Sequence, residues 1–352
     1  MRFAFGDDQQ LLQSAVREFL RKECTPEAVR GLWASERGHS AALWSQLAEL
    51  GVLSALVPEA QGGMGLDERD LVLLLEEVGR AALPGPVAAC AAVAAPLLRE
   101  LGGPLAERWL PRIAGGHAIA VVGPPANPFV TDAHLADLLL LARGDALHAV
   151  EAAAARLVHQ PANDPGRRLY GVGWEPGEGS VVARGAGAAR LLAAALDRGA
   201  LACAAQALGA ADRMIELAVA YASQREQFGR PIGSFQAVQH QLADAKVRLE
   251  YARPVVYKAA WSVATGAPAR AVDVSHAKRA AGDAAALAAR RALQAHGAIG
   301  YTWEQDLHLW MRRAWSLALE WGAPPLHLAR VSEFVLADGA PIGPGRTFST
   351  GS

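Results

Sequence analysis

The segment from 225 to 236, REQFGRPIGSFQ, constrains the fold of this chain more than any other, because it places a tight turn between two long helical patterns. Upstream, the spacing predicts a helix from about residue 197 to 224. Downstream, apolar side chains recur at three- and four-residue steps from Phe235 to Leu249, and Ser234 is the predicted N-cap of the second helix. The sequence therefore predicts two long helices that meet at a short corner.

The corner also carries residues suited to a dinucleotide phosphate. Arg225 lies where the first helix ends, and a guanidinium there can pair bidentately with a pyrophosphate. Phe228 can cover a ring, while Gly229 and Pro231 fix the turn that keeps both side chains in place. The alternative interpretation is a polar turn between helices that binds nothing, and spacing alone does not exclude it.

Three motifs resemble the acyl-CoA dehydrogenase family. Residues 221–236, YASQREQFGRPIGSFQ, resemble its flavin-binding corner, and QAHGAIGYTWE at 294–304, followed by MRRA at 311–314, resembles its later glycine-rich turn. Near the N-terminus, LWSQLAELGVL at 43–53 and GGMGL at 62–66 are similar to its first domain. The motifs stand in the family's order and cover both ends of the chain.

The resemblance implies a mainly α fold with a small β domain, in three domains. These are an N-terminal helical domain (1–116), a shortened middle β domain (117–186) and a C-terminal four-helix bundle that carries the flavin motifs (187–337), followed by a loose tail (338–352) rich in Gly, Pro, Ser and Thr. Asp7 or Asp8 is the predicted cap of the first helix, and the alanine-rich stretch at 87–98 is a predicted buried helix. Short apolar runs predict strands at 118–122, 138–142, 147–150 and 180–183.

The middle region departs from the family pattern. Family members enter the β domain through a segment rich in Thr, Glu, Pro, Gly and Ser that contacts the flavin, and then cross a strand with an aromatic-Ile-Thr element over the isoalloxazine. Here only residues 122–137 stand where both belong. The first element is absent or reduced to Gly123-Pro124-Pro125, and Phe129-Val130-Thr131 echoes the second. Part of the flavin envelope is therefore expected to be missing from this subunit.

The catalytic base departs as well. The family's reaction needs a carboxylate to remove the α-proton of the acyl thioester while the β-hydrogen leaves as hydride to the flavin. Two family positions can supply that glutamate, and they fall here at Gly199 and Trp321. Glu320, one residue from the second position, is the candidate base if its segment is irregular; within a continuous helix the shift would rotate its side chain by roughly 100° and miss. The alternative is an exposed or salt-bridged glutamate near a helix end.

The resemblance also assigns binding residues. Asp197 matches a family position near the nucleotide portion of the thioester, although an aspartate in a first helical turn is also an ordinary cap. His296 can reach the cofactor across a subunit interface, or simply belong to a polar helix end stopped by glycine. The residues assigned to FAD are Arg225, Gln227, Phe228, Ile232, Gln236, Gln294, Gly297 and Ala298.

Composition is compatible with a soluble enzyme. The 352 residues are 52% hydrophobic and 20% charged with a net charge of -1, so no basic surplus indicates nucleic acid or an anionic membrane. Cys24, Cys90 and Cys203 lack zinc-binding spacing and are expected to be buried free thiols in a reducing cytoplasm. His308 and His327 have no partner ligands at metal spacing, so no metal is predicted.

The leading hypothesis is the smaller subunit of a bacterial heteromeric acyl-CoA dehydrogenase, a group that includes enzymes for steroid side chains. In that arrangement this chain contributes the 225–236 corner or the Gln294 turn to a shared FAD site, and the unlike subunit supplies the base. The enzyme would dehydrogenate a bulky acyl-CoA and pass electrons to an electron-transfer flavoprotein or similar acceptor. The alternatives are a self-sufficient homo-oligomer that uses Glu320 and a flavin-free scaffold for a catalytic partner.

Overall fold

A computed structural model of the chain describes residues 4–125, 127–340 and 342–343. Most of the predicted loose tail lies outside these described residues. Eleven α-helices occur within them: α1 Asp7–Glu23, α2 Pro26–Ala34, α3 Ala41–Glu49, α4 Glu68–Arg80, α5 Ala95–Leu101, α6 Gly103–Ala114, α7 Gly185–Gln224, α8 Gln236–Ala264, α9 Arg270–His296, α10 Leu307–Leu319 and α11 Pro324–Val335. The strands described are β1 Ala120–Val122, β2 Val130–Thr131, β3 Leu138–Arg143, β4 Ala146–Glu151, β5 Arg156–Gln160, β6 Leu169–Gly173, β7 Val181–Arg184, β8 Glu226–Gln227 and β9 Arg230–Pro231.

The N-terminal helices begin at local caps and bury their apolar faces together. The cap predicted at Asp7 or Asp8 is wrong, because α1 starts after Gly6, whose backbone N–H donates to the side chain of Gln9. Both aspartates lie in the first turn, where negative charge favours the helix dipole. The alanine-rich stretch at 87–98 is a buried helix as predicted, with a π-helical segment, Ala88–Ala94, leading into α5.

Two sheets lie between residues 120 and 184. In the first, β1 pairs in parallel with β3, and β4 and β7 follow in antiparallel pairing. The second is antiparallel, in the order β2-β6-β5. The four predicted strands correspond to β1, β3, β4 and β7. The sequence does not predict the other three, because β2 has two residues and β5 and β6 are too exposed to show clear apolar alternation.

Helices α7, α8, α9 and α10 pack together as the predicted bundle, and α11 lies on α9. The predicted start of the long helix near residue 197 is wrong, since alanines, which are strong helix formers, extend α7 back to Gly185. By length and composition α7 could cross a membrane, but 83% of its apolar window is buried inside the protein. Its apolar surface therefore forms the centre of the bundle.

The N-terminal domain sits on the bundle where α4 crosses α7 at two glycines. A Cβ on Gly79 would lie 2.0 Å from the carbonyl oxygen of Gln206, and one on Gly209 would lie 1.8 Å from that of Glu76. Only glycine allows two helix backbones to approach this closely. The crossing fixes α4 directly above the middle of α7.

Candidate functional site

The corner between α7 and α8 is a short β-hairpin with a two-residue turn. Strands β8 and β9 pair antiparallel, with Gln227 opposite Arg230. The turn residues Phe228 and Gly229 have φ angles of 53° and 79°, and a type I′ turn requires positive φ at both of these positions. The hairpin therefore holds Phe228 in a defined orientation at the tip of the corner.

The second helix starts later than predicted. A 3₁₀ turn, Ile232–Ser234, follows the hairpin, and α8 begins at Gln236. The predicted N-cap at Ser234 is wrong, because its hydroxyl donates to the carbonyl oxygen of Pro231 instead of capping α8. The side chain of Ser234 thus stabilises the corner itself.

The residues predicted to bind FAD face away from the protein core. Phe228 is 92% exposed, and Ile232 is half-buried. A large apolar side chain held in solvent at positive φ is strained and unfavourably hydrated, so it suits contact with a molecule outside this chain. The exposed members of the set are Arg225, Gln227, Phe228, Gln236, Gln294, Gly297 and Ala298.

The Gln294 turn lies at the same end of the bundle as the corner. The ring of Tyr221, in the last turn of α7, stacks on His296 at the end of α9 with centroids 4.5 Å apart and an interplanar angle of 20°. His296 is buried, and its Nδ1 lies 2.8 Å from the carbonyl oxygen of Ala292. Its ring therefore joins the two motifs from within the chain. Gly297, with a φ of 65°, ends α9.

Glu320 lies just beyond α10 in extended backbone, so its segment is irregular, as the base hypothesis requires. Its side chain, however, is buried and engaged. Oε2 lies 2.7 Å from Nε of Arg167, and Oε1 accepts a hydrogen bond from Thr131 Oγ1 at 3.0 Å. Arg167 Nη2 donates to the same Thr131 hydroxyl at 3.0 Å. These contacts correspond to the salt-bridged alternative, and a catalytic role for Glu320 stays a prediction.

Other buried polar groups surround this triad. Burial lowers the pKa of Lys278, whose Nζ donates to the carbonyl oxygen of Leu317. Burial raises the pKa of the Cys203 thiol to about 12, and its Sγ lies 3.9 Å from Glu320 Oε2. Burial, together with the neighbouring Glu320 carboxylate, raises the pKa of Asp132 to about 7 against the opposing effect of the hydrogen bond from the Arg168 backbone N–H. Buried polar and charged side chains therefore connect the region of the β sheets to the helical bundle at this point.

The two positions at which the resemblance predicts a base, Gly199 and Trp321, are in contact in this chain. A Cβ on Gly199 would lie between 2.1 and 2.4 Å from Cγ, Cδ2 and Cε2 of Trp321. Because these ring atoms are nearly equidistant from that point, the indole lies face-on over the glycine. Trp321 is 4% exposed and has a φ of 53°. Neither position carries a carboxylate, and the ring leaves no room for a side chain at 199.

His327 fixes the backbone of this tryptophan. It is fully buried, with Nε2 3.0 Å from the carbonyl oxygen of Trp321 and Nδ1 3.1 Å from Ser275 Oγ. Burial lowers its pKa to about 4, so the imidazole is neutral and carries one N–H. Since a carbonyl oxygen can only accept, Nε2 is the protonated nitrogen. The unfavourable φ of Trp321 is thus held by a buried hydrogen bond.

Asp197 lies in the interior of α7, so the predicted alternative of a first-turn cap is wrong. It is 1% exposed. Its Oδ2 accepts from Arg270 Nε at 2.9 Å, and its Oδ1 accepts from Arg330 Nη2 at 2.8 Å. Arginines of this chain therefore engage both carboxylate oxygens, and substrate binding by Asp197 stays a prediction.

The sequence does not predict two side-chain partners in this region, Arg167 of Glu320 and His327 of the Trp321 carbonyl. Arg167 lies in the loop between β5 and β6, far from residue 320 in the chain, and His327 is in α11. One sequence signal was Thr131, in the element that echoes the family's aromatic-Ile-Thr. The two adjacent arginines at 167 and 168, in a loop rich in Pro and Gly, were a second signal.

Among the residues that the structure describes, no group of three or more His, Cys, Asp or Glu side chains is arranged to hold a metal ion. The three cysteines are free and buried. Burial raises the pKa of each thiol to about 12, so they are un-ionised at neutral pH.

Comparison with known proteins decides the family. Residues 6–117 match the N-terminal domain of acyl-CoA dehydrogenase, and residues 185–336 match its C-terminal domain. The acyl-CoA dehydrogenase IpdE2 of Mycolicibacterium smegmatis is 36% identical over 328 residues, which cover 93% of this chain and 98% of that protein. This chain belongs to the acyl-CoA dehydrogenase family. It is therefore an oxidoreductase acting on acyl-CoA, as the motifs predict.

Two solved structures have the same fold and confirm the predicted fold class. The ChsE4-ChsE5 complex from Mycobacterium tuberculosis aligns with a TM-score of 0.86 and 26% identity over 96% of this chain and 100% of that one. A variant of the Tcur3481-Tcur3483 steroid ACAD aligns with a TM-score of 0.85 and 26% identity over 94% of this chain and 98% of that one. Both are named as pairs of unlike proteins.

Proposed function

We propose that this chain is the non-base-supplying subunit of a heteromeric acyl-CoA dehydrogenase. The observation that carries the proposal is the contrast between its two sites. Gly199 and Trp321 fill the family's base positions without a carboxylate, and Glu320 is tied to Arg167 and Thr131. The flavin corner, in contrast, is exposed and pre-formed. The chain therefore offers cofactor contacts to another subunit and takes its base from that subunit.

The exposed corner fits an FAD molecule approached from outside this chain. Arg225 supplies a cation for the pyrophosphate, Gln227 and Gln236 supply amides, and Phe228 supplies an aromatic face. Gly297 has no side chain and nothing within 4 Å of where one would be, so its backbone is open to close approach. When bound, FAD accepts the hydride that leaves the β-carbon of the acyl group. The residues of this chain hold the cofactor, and a carboxylate of the partner removes the α-proton.

The substrate we propose is a bulky acyl-CoA, such as one with a steroid-derived chain. The name of the Tcur3481-Tcur3483 steroid ACAD supports this class, and both structural relatives support an unlike partner. An electron-transfer flavoprotein or a similar protein would reoxidise the flavin, and the enzyme would work in the cytoplasm. A self-sufficient enzyme is less consistent with these contacts, because Glu320 would have to leave its ion pair before it could act as a base.

Glu320→Gln in the complex of this chain with its partner dehydrogenase tests where the base lies. Removing a catalytic base lowers kcat by roughly 100-fold or more, whereas a structural glutamate should leave kcat within about twofold once flavin content is equal. Glu304→Gln, a change of an exposed carboxylate on the same chain, is the matched control. A large fall in kcat for Glu320→Gln at unchanged flavin content would support the self-sufficient enzyme instead. A complex without flavin would indicate a scaffold.

A further inference from the structure

We infer that Trp321 is a plug: its indole fills the space in which this chain would otherwise receive an acyl group, and so determines which of two unlike subunits takes the substrate. The inference rests on the proposed function, because it explains why only the partner's site is used. It assigns Trp321 a role in specificity, although the residue takes no part in the chemistry.

The position of the ring follows from the two alternative base positions. A glutamate at either position removes the same α-proton, so the α-carbon of the acyl group must lie within reach of both backbones. In this chain the indole of Trp321 lies directly against the backbone of Gly199, so the ring fills the space next to both positions. A ring in that space and an acyl chain in that space exclude each other.

The plug is fixed on both sides. Before it, Glu320 is anchored by Arg167 and Thr131. Behind it, the carbonyl oxygen of Trp321 is bound by the buried His327, and a Cβ on Gly322, which has a φ of 105°, would lie 2.6 Å from the same imidazole. Residues 320–322 are thus held in place by contacts on both sides of Trp321. Trp321 is a permanent part of the interior, unlike a lid that opens.

The indole also explains why α7 has a glycine at position 199. Glycine weakens a helix interior, and Gly199 stands within a continuously buried stretch of α7. The face of the indole accounts for it, because even a methyl group there would overlap the ring. Gly199 and Trp321 therefore depend on each other sterically.

Trp321→Ala in the full-length chain tests the plug with indole as the probe. The variant should bind one indole in isothermal titration calorimetry, and the wild-type chain should bind none. Trp315→Ala, which removes an exposed tryptophan from α10, is the matched control and should also bind none. Adding Gly199→Leu to Trp321→Ala should refill the space and abolish binding. A folded Trp321→Ala chain that does not bind indole overturns the inference.

Two further measurements keep the test decisive. If Trp321→Ala does not fold, Trp321→Leu leaves a smaller space, and benzene should raise its melting temperature; no shift overturns the inference. Octanoyl-CoA should bind to the plug-free chain at least about tenfold more tightly than to wild type, and equal affinities would show that the ring does not exclude acyl groups. Neither measurement uses flavin or the partner, so a failure of the proposed heteromer would leave both results interpretable.

Discussion

The indole of Trp321 fills the space in which a side chain at position 199 would lie. This one contact explains why position 199 carries glycine and why the ring of Trp321 fits there. Sequence comparison places them far apart in the chain, at two separate base positions. The structure shows that the interior of α7 carries a glycine where the neighbouring turn carries the largest side chain. The residue at each of the two positions therefore limits which residues fit at the other.

Gly199→Ala should destabilise the chain by about 1–3 kcal/mol, because its methyl group would overlap the indole. In a Trp321→Ala background the same change should be nearly neutral or stabilising, since alanine is the better helix former. Urea unfolding of the four proteins in this double-mutant cycle measures the coupling. Additive effects would show that the two residues do not share one space.

Asp132 should make stability depend on pH. Burial raises its pKa to about 7 in the folded chain, whereas it is about 4 in the unfolded chain. The folded state thus retains a proton that the unfolded state releases, so stability falls as pH rises through this window and levels off above it. Asp132→Asn mimics the protonated form and tolerates the residue's φ of 55°.

The expected result is a variant more stable than wild type at pH 8, by on the order of 1–3 kcal/mol, and nearly equal to it at pH 4. Denaturant unfolding at the two pH values checks this. An equal difference in stability between variant and wild type at pH 8 and pH 4 would mean that Asp132 does not titrate between these pH values.

At the scale of elements, the α4/α7 crossing depends on glycine. Gly209→Ala would place a methyl carbon 1.8 Å from a carbonyl oxygen of α4, so the helices would have to separate. We expect a loss of at least about 3 kcal/mol, at the upper end of overpacking costs, or failure to fold. Gly282→Ala in α9, where nothing lies within 4 Å, is the matched control and should stabilise by up to about 1 kcal/mol. Thermal and urea unfolding compare the two; equal stabilities would contradict the crossing as described.

The hairpin corner gives a second prediction at this scale. Arg225→Ala in the complex should weaken flavin retention by roughly 10- to 100-fold, the range expected when a hydrogen bond to a charged group is lost. Arg248→Ala, on the exposed surface of α8, is the control for loss of an arginine. Flavin absorbance after gel filtration measures the difference. Equal occupancy in both variants would remove Arg225 from the cofactor site.

How much the sequence could predict also differs by element. Long helices with regular apolar spacing were predictable, but their ends were not: α7 runs well beyond the predicted start because alanines favour helix without adding a distinctive pattern. A tight turn around Phe228 was predictable from Gly229 and Pro231, but the two-residue strands β8 and β9 on either side of it were not. Strands β5 and β6 were not, since their side chains are half exposed and two positions of β6 are glycine.

At the scale of the whole molecule, motif order identified the family and the three-domain plan, but not what each site does. The triad of Glu320, Arg167 and Thr131 joins α10 to the β sheets across long stretches of sequence, and no local pattern predicts it. The same holds for the contact of α7 with the turn after α10. The sequence makes Glu320 a candidate base, and the structure adds that its carboxylate is paired with Arg167.

The central claim is that this chain gives a flavin corner to a partner and lacks a working site of its own. The most direct test is the ratio of flavin to protein, measured with native mass, for the chain expressed alone and co-expressed with its partner acyl-CoA dehydrogenase. We expect no flavin in the lone chain and a mixed complex that retains it. Stoichiometric flavin in a homo-oligomer of this chain alone would contradict the account.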